Sequence, residues 1–223
     1  MINMLKTTDL YDLRNSAAGA YLAQFEYPWQ ALNGIKAMLL DLGNRLGEDY
    51  TEVAPAVWVH KTATVAPTAH LGAPCIIGAG TEVRHCAFIR GSALVGENCV
   101  VGNSVELKNV ILFDRVQVPH FNYVGDSILG YKAHMGAGAV TSNVKSDHSL
   151  VAVKNGEEKM ETGLKKFGAM LGDYVEVGCN SVLNPGTVIG RNSMVYPTSC
   201  VRGMVEANSI WKNSGVVVKK EER

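Results

Sequence analysis

Residues 59–113 read VHKTATVAPTAHLGAPCIIGAGTEVRHCAFIRGSALVGENCVVGNSVELKNVILF, and this stretch decides the fold. Ten apolar residues follow one another at a constant spacing of six, namely Val59, Val65, Leu71, Ile77, Val83, Ile89, Val95, Val101, Leu107 and Phe113. Small residues stand four positions after most of them: Ala63, Ala69, Cys75, Thr81, Ala87, Ala93 and Cys99. A helix repeats every 3.6 residues and an amphipathic strand every two. A period of six instead predicts a β-solenoid, a parallel β-helix of hexapeptide repeats whose large aliphatic residues point inward.

The same ladder continues beyond this stretch, with one slip and one interruption. It runs through four further positions, one of them a residue early: Val118, Val124, Leu129 and Met135. It stops over residues 144–170, a charged segment, and returns at a spacing of six from Leu171 to Val201. A long insertion in a compact domain is usually a functional loop or a disordered one. We therefore expect function near this break.

Helical patterns occur only before the ladder. The apolar spacing predicts one helix from Thr8 or Asp9 to about Phe25 and a second from Trp29 to Leu46, separated at Tyr27-Pro28. Because a solenoid must hide the open edge of its first coil, we expect these helices to form a cap, with partner binding as the alternative. The predicted organisation is a helical cap or linker in residues 1–50 and a β-helical domain in residues 51–223, with the inserted loop at 144–170.

Composition excludes several functional classes. Lys+Arg and Asp+Glu both number 21, so no basic excess points to nucleic acid or an anionic membrane surface. No apolar run resembles a signal sequence or a membrane span. The five cysteines show no CxxC spacing, which argues against a disulfide framework or a zinc site, and Cys75 and Cys99 are expected in the core. A cytoplasmic location is expected.

His120 differs from the other histidines in its sequence neighbours and in its place on the ladder. Pro119 precedes it, Phe121-Asn122-Tyr123 follow, and it sits where the ladder slips. A histidine can accept a proton near neutral pH, as an attacking amine or hydroxyl requires. The residues alone leave open that His120 is an ordinary surface histidine, the reading we favour for the other histidines of the array.

Two further features carry possible chemistry. Arg90 and Lys108 are 18 residues apart, which is one coil of three hexapeptides, so they are predicted on one side of adjacent coils, where they could hold a phosphate. Two solvated surface cations are the alternative. Gly136-Ala137-Gly138 lets the backbone approach a ligand, and its N–H groups could face an oxyanion, but such runs are common in hexapeptide turns.

The stretches VELKN, VPHFNYVGDSILG and GAGAVTSN together resemble a known family. They are similar to the left-handed β-helical acetyltransferase domain of bifunctional sugar-1-phosphate nucleotidylyltransferase/acetyltransferases, enzymes that make UDP-N-acetylglucosamine. The later LKKFGAMLGDYVEVGCNSVLNPGTVIG and the charged insertion resemble the archaeal-type branch. The resemblance covers about residues 27–218.

The resemblance implies a function and roles for single residues. The implied activity is direct acetyl transfer from acetyl-CoA to glucosamine 1-phosphate or galactosamine 1-phosphate, without a metal, in a homotrimer with coenzyme A between subunits. His120 matches the general base, and Ala137 matches the residue whose backbone N–H faces the thioester carbonyl. The implied substrate-binding residues are Arg90, Lys108, Tyr123, His134 and Asn143. Cys179 and Pro197 match small residues along the coenzyme A groove.

Two departures and two alternatives accompany this reading. His134 stands where the bacterial enzymes have an asparagine, which puts the sugar or its binding mode in doubt. No glycine-rich nucleotide loop or carboxylate pair precedes residue 59, so uridylyltransferase activity is not expected. A non-catalytic subunit that binds a sugar nucleotide or organises a complex is the first alternative. A zinc hydrolase like γ-carbonic anhydrase is the second, although His120, His134 and His148 form no close pair.

Overall fold

The computed structural model describes residues 4–213 and 215–221 of the chain. Residues 1–3, 214 and 222–223, which fall within the predicted cap and β-helical segments, lie outside the described residues. The described chain forms a left-handed parallel β-helix with three flat faces, preceded by short helices; the period of six predicts the β-helix and the family resemblance its hand. Within the described residues, no helix combines the length and apolar character needed to cross a membrane.

Short strands stack in parallel on each face. Face A consists of Val57–His60, Cys75–Ile77, Ala93–Val95, the second halves of Glu106–Leu112 and Tyr123–Leu129, Ala169–Leu171, Thr187–Ile189 and Met204–Val205. Face B consists of Thr64–Val65, Glu82–Val83, Val100–Asn103, Gln117–His120, His134–Met135, Glu176–Val177, Met194–Val195 and Ser209–Trp211. Face C consists of His70–Leu71, Phe88–Ile89, the first halves of Glu106–Leu112 and Tyr123–Leu129, Val140–Thr141, Val182–Leu183 and Cys200–Val201.

The inward ladder forms the core of the prism. From Ile77 to Val201 its residues are buried, and the small residues Cys75 and Cys99 are buried with them, as predicted. One predicted position is wrong by a residue: Leu112, not Phe113, pairs with Val95. The coil preceding Leu112 has lost one residue, because Val110 pairs with Ala93 rather than with Ser92. Phe113 instead lies against the ring of Tyr11, with 5.0 Å between centroids.

The lost residue changes the corner between faces C and A. Glu106–Leu112 and Tyr123–Leu129 each run through this corner without interruption. The bend is made at Asn109 (φ 56°) and Asp126 (φ 48°), two residue types that tolerate the left-handed region better than most. Polar side chains are thereby aligned on successive coils at this corner.

The N-terminal segment differs from the prediction. In place of one helix to Phe25 there are three short pieces, Thr7–Leu10, Leu13–Asn15 and Gly19–Leu22. The second predicted helix is a 3₁₀ segment, Pro28–Gly34, continued by the α-helix Ile35–Gly43. The first segment is broken because its carbonyl groups bind the solenoid: Asp173 N–H donates to Leu10 O at 3.0 Å, and Asp114 N–H donates to Asn15 O at 3.1 Å.

These helices cover the solenoid along face A rather than only at its first coil. Ile35–Gly43 packs against Cys75–Ile77 and Ala93–Val95, and the Tyr11 hydroxyl donates to Ile128 O at 3.3 Å. The middle residues of the face A strands pair with one another from coil to coil and are buried beneath this cover: Trp58, Ile76, Leu94, Ile111, Ile128, Met170 and Val188. Face A therefore has an apolar outer surface as well as an apolar inner one.

An antiparallel strand closes each end of the ladder, and the insertion forms an antiparallel hairpin. Tyr50–Ala54 pairs with the first strand of face A, and Val217–Lys219 pairs with the last strand of face B. The insertion at 144–170 contains a hairpin of Val151–Asn155 and Glu158–Leu164, and its first strand packs against Met204–Val205.

Candidate functional site

Face C carries a polar cluster around Arg90 and Lys108. Ile89 pairs with Leu107, so the two cations that follow these residues stand on adjacent coils, as their spacing predicts. Each cation has a carboxylate partner. Arg90 Nη1 donates to Glu106 Oε1 at 2.8 Å, and Lys108 Nζ lies 3.3 Å from Asp126 Oδ2. Arg90 is half exposed and Lys108 is more buried, so both head groups border solvent.

Asp126 connects the members of this cluster. Its carboxylate accepts hydrogen bonds from Asn109 Nδ2 at 2.9 Å and from Asn143 Nδ2 at 2.5 Å, besides its contact with Lys108. Asn109 Nδ2 also donates to Leu32 O at 3.2 Å. A carboxylate accepts only, so it suits a position surrounded by amide and ammonium donors. Asp126 joins three coils, and Asn109 connects this cluster to the N-terminal segment.

Tyr123 lies on the same face, as the first residue of the strand Tyr123–Leu129. Its hydroxyl accepts a hydrogen bond from Asn143 Nδ2 at 3.2 Å. Burial raises the pKa of the Tyr123 phenol, and the nearby carboxylates of Asp126 and Glu106 raise it further. The phenol is therefore a neutral hydrogen-bonding group across the physiological pH range. Tyr123, Asn143, Lys108 and Arg90, four predicted substrate-binding residues, are brought together on face C.

His120 and Ala137 belong to a second group at the corner between faces B and C. Gly138 N–H donates to His120 O at 3.0 Å, Asn180 N–H to Ala137 O at 2.9 Å and Thr198 N–H to Cys179 O at 2.8 Å. This repeated bond aligns one residue from each coil, a column that we call the B–C edge: His85, Asn103, His120, Ala137, Cys179 and Pro197. Both predicted catalytic residues and all predicted cofactor-binding residues lie on the B–C edge. The His120 side chain is exposed there.

Asn122 fixes the backbone between His120 and Ala137. Its side chain is buried; Oδ1 accepts from His120 N–H at 3.2 Å, and Nδ2 donates to Gly136 O at 2.8 Å and Ala139 O at 3.0 Å. Across residues 4–213 and 215–221, the Ala137 N–H makes no hydrogen bond. A donor at the surface of this edge is thus free to bind a ligand oxygen.

His134 is separated from the other predicted substrate-binding residues. It begins the two-residue face B strand His134–Met135, and its Nδ1 is 2.8 Å from Glu176 Oε2. A single subunit therefore presents His134 on a different face from Tyr123 and Lys108. The part of the chain that the structure describes contains no group of three or more His, Cys, Asp or Glu side chains placed to hold a metal ion.

The insertion returns to the solenoid beside the polar cluster. Phe167 N–H donates to Asn143 O at 3.0 Å, and Gly168 N–H donates to Asp126 O at 2.9 Å. The insertion that interrupts the ladder, near which we expect function, thus ends at this cluster. Lys165 and Lys166, which precede Phe167, are exposed.

The sequence reasoning missed Asp126 and Asn122 as organising residues. A signal existed for the first: Asn109, Asp126 and Asn143 follow one another at a spacing of 17, the length of the shortened coils. No comparable repeat marks Asn122, whose partners are backbone groups.

Comparisons with known proteins connect the chain to one group. No family model matches the sequence. The chain is 31% identical over 201 residues to the bifunctional protein GlmU of Methanococcus aeolicus, covering 88% of this chain and 48% of that protein. It is 29% identical over 189 residues to a bifunctional sugar-1-phosphate nucleotidylyltransferase/acetyltransferase of Sulfurisphaera tokodaii, covering 83% of this chain and 47% of that one.

The chain spans about half the length of these relatives. Among solved structures, a mutant of AntD, an N-acyltransferase from Bacillus cereus, matches at 16% identity with a TM-score of 0.39, covering 75% of this chain and 82% of that one. The assignment depends on the sequence relatives alone. The chain is homologous to one half of the bifunctional GlmU and sugar-1-phosphate nucleotidylyltransferase/acetyltransferase proteins, and in this chain that half is the left-handed β-helix with its N-terminal helices.

Proposed function

We propose that the protein transfers the acetyl group of acetyl-CoA to the amine of a hexosamine 1-phosphate, either glucosamine 1-phosphate or galactosamine 1-phosphate. The observation that carries this proposal is the B–C edge, where an exposed histidine adjoins a free backbone N–H. The relatives are named as acetyltransferases or as bifunctional GlmU proteins, and the half-length match makes their activity a proposal for this chain.

His120 is the proposed general base and Ala137 the proposed oxyanion donor. The amine nitrogen attacks the thioester carbonyl carbon, and His120 accepts the amine proton as the nitrogen–carbon bond forms. The Ala137 N–H then stabilises the negative oxygen of the tetrahedral intermediate. Collapse of that intermediate breaks the carbon–sulfur bond and releases coenzyme A, whose thiolate takes up a proton. No step requires a metal.

The cluster on face C is the proposed acceptor site. Arg90 and Lys108 bind the phosphate, and Tyr123 and Asn143 bind the sugar. The bound phosphate holds the amine in a fixed orientation, which lowers the entropic cost of the attack. Cys179 and Pro197, further along the B–C edge, line the proposed coenzyme A groove.

A homotrimer completes the proposal. His134 is proposed to contact the sugar, yet face B separates it from Tyr123 within one subunit. A neighbouring subunit that packs its face B beside this face C would bring the two residues to one site, and closed three-fold symmetry suits a three-sided prism. A cytoplasmic location remains part of the proposal.

An assay of coenzyme A release tests the reaction. Purified protein with acetyl-CoA is given each hexosamine 1-phosphate, and we expect His120→Ala to lower kcat by about 10²–10⁴. His85→Ala is the matched control, because His85 occupies the same edge position two coils earlier. Absence of release with either sugar from a protein that binds sugar nucleotides would favour the non-catalytic alternative instead.

A further inference from the structure

A small pocket on the surface contains a third cation that the sequence did not single out. Lys36, Arg90 and Lys108 line it together with Ser92 and Asn109. Arg90 and Lys108 come from the solenoid, whereas Lys36 is the second residue of the N-terminal helix Ile35–Gly43. The pocket therefore joins the two parts of the chain.

The helix is held firmly enough to position Lys36 there. Ile35 and Leu39, on either side of it, are fully buried in the core. One turn earlier, Leu32 O accepts the hydrogen bond from Asn109 Nδ2, at the corner that bears Lys108. The Lys36 side chain itself is exposed and has no hydrogen-bond or ion-pair partner within the described part of the chain.

The charges of the side chains around the pocket indicate which kind of ligand it binds. Glu106 is paired with Arg90 and Asp126 with Lys108, so these four groups are neutral in sum. Lys36 adds the net positive charge. A phosphate monoester is a dianion near neutral pH, and cations with free donors are the groups that bind it.

We infer that Lys36 is a third phosphate-binding residue and that the N-terminal helix thereby completes the acceptor site. This inference rests on the proposed function for the identity of the acceptor, a sugar 1-phosphate, but not for the anion itself. It makes the helical segment part of the binding site in addition to a cover for face A.

Calorimetric titration with inorganic phosphate tests the anion site without catalysis. We expect Lys36→Met, which keeps the apolar stem, to raise the Kd for phosphate by about tenfold, and Lys36→Arg to restore most of the affinity. Lys154→Met, at an exposed lysine on the hairpin, is the control and should bind as the wild type does. Unchanged binding in Lys36→Met, or no phosphate binding by the wild type, would overturn the inference.

Kinetics separate this inference from the proposed function. If the chain is the acetyltransferase, Lys36→Met should raise KM for glucosamine 1-phosphate or galactosamine 1-phosphate about tenfold, with kcat and the KM for acetyl-CoA unchanged. An acceptor without phosphate, such as free glucosamine, should be used equally by both proteins. Loss of phosphate affinity in a protein without any acetyl transfer would refute the proposed function and retain the anion site.

Discussion

Asn143 Nδ2 donates a hydrogen bond to Asp126 Oδ2 over 2.5 Å, across two adjacent coils of the solenoid. Asp126 is only 4% exposed, and its carboxylate also contacts Lys108 and Asn109. The loss of one residue per coil creates this arrangement, because it brings Asn109, Asp126 and Asn143 into one column at the corner of faces C and A. The positions of Lys108 and Asn143 thus depend on a residue with little access to ligand.

Replacing Asp126 should weaken both folding and ligand binding. In Asp126→Asn, an amide with two N–H donors would face Asn109, Asn143 and Lys108, which are donors themselves. We expect the free energy of unfolding in urea to fall by about 2–3 kcal/mol. The control is Asp41→Asn, which breaks an exposed ion pair with Arg45. This variant should change the free energy of unfolding by less than about 1 kcal/mol. Equal stability of the two variants would contradict the organising role of Asp126.

The outer surface of face A should contribute more to stability than the outer surface of face C. Val188 lies in the middle of a face A strand and is fully buried, whereas Val182 begins a face C strand and is 37% exposed. Since both changes are Val→Ala, only burial differs. We expect Val188→Ala to lower the free energy of unfolding by about 2 kcal/mol and Val182→Ala by less than about 1 kcal/mol, measured by urea denaturation. Equal losses would indicate that the helices do not protect face A.

The solenoid was predictable because each inward position demands one kind of side chain. An aliphatic residue every six positions leaves no other repeat compatible with the pattern. The pattern could not distinguish Leu112 from Phe113, because adjacent apolar residues satisfy it equally. Only the pairing of Leu112 with Val95 reveals the shortened coil.

The N-terminal segment was harder to predict because tertiary contacts override its local preferences. Leu10, Tyr11, Ala18 and Leu22 are buried, as an amphipathic helix would bury them, but they follow the flat surface of face A. The apolar middle residues of its strands, such as Ile76 and Leu94, repeat every 18 residues and were a readable sign of this cover. Such a signal tells that a face is covered, but not by which segment.

Within the site, spacing predicted which residues stack but not which residues hold them. Arg90 and Lys108 stand on adjacent coils because 18 residues make one coil there. Asp126 and Asn122 act through contacts to several coils, and those contacts follow from the corners, whose lengths a single sequence does not reveal. The roles of the predicted catalytic and binding residues stay predictions.

The reactivity of the cysteines offers a test of the proposed coenzyme A groove. Burial raises the pKa of the Cys75 and Cys99 thiols to about 12, so at pH 8 only about one thiol in 10⁴ is ionised. Cys86, Cys179 and Cys200 are exposed. We expect a thiol reagent to modify these three in the native protein, and Cys75 and Cys99 only after unfolding.

Coenzyme A should protect one of these cysteines selectively. Cys179 lies on the B–C edge beside Ala137, whereas Cys86 lies on an earlier coil and contacts Thr68. Mass spectrometry of peptides modified with and without desulfo-coenzyme A, which lacks the competing thiol, compares the two rates within one sample. Slower labelling of Cys179 with unchanged labelling of Cys86 is the expected outcome, and equal rates would move the groove away from this edge.

Asn122 should act as a positioning residue for His120. Its side chain ties the His120 N–H to the carbonyl groups of Gly136 and Ala139, which flank the proposed oxyanion donor, Ala137. In Asn122→Ala these three bonds are lost, and the distance between base and donor is no longer fixed. We expect kcat for acetyl transfer to fall by about tenfold or more, while KM for both substrates stays nearly unchanged. Misplacement of reacting groups affects the transition state more than it affects substrate binding.

A matched asparagine separates positioning from general stability. Asn184 is partly buried and donates through Nδ2 to Val201 O at 2.9 Å, on a corner that bears none of the proposed catalytic residues. Both alanine variants should lose about 1–3 kcal/mol of unfolding free energy in urea, since each removes side-chain hydrogen bonds to the backbone. Only Asn122→Ala should also lose kcat when the two are assayed at a temperature where both remain folded. A loss of stability in Asn122→Ala with wild-type kcat would limit this side chain to a structural role.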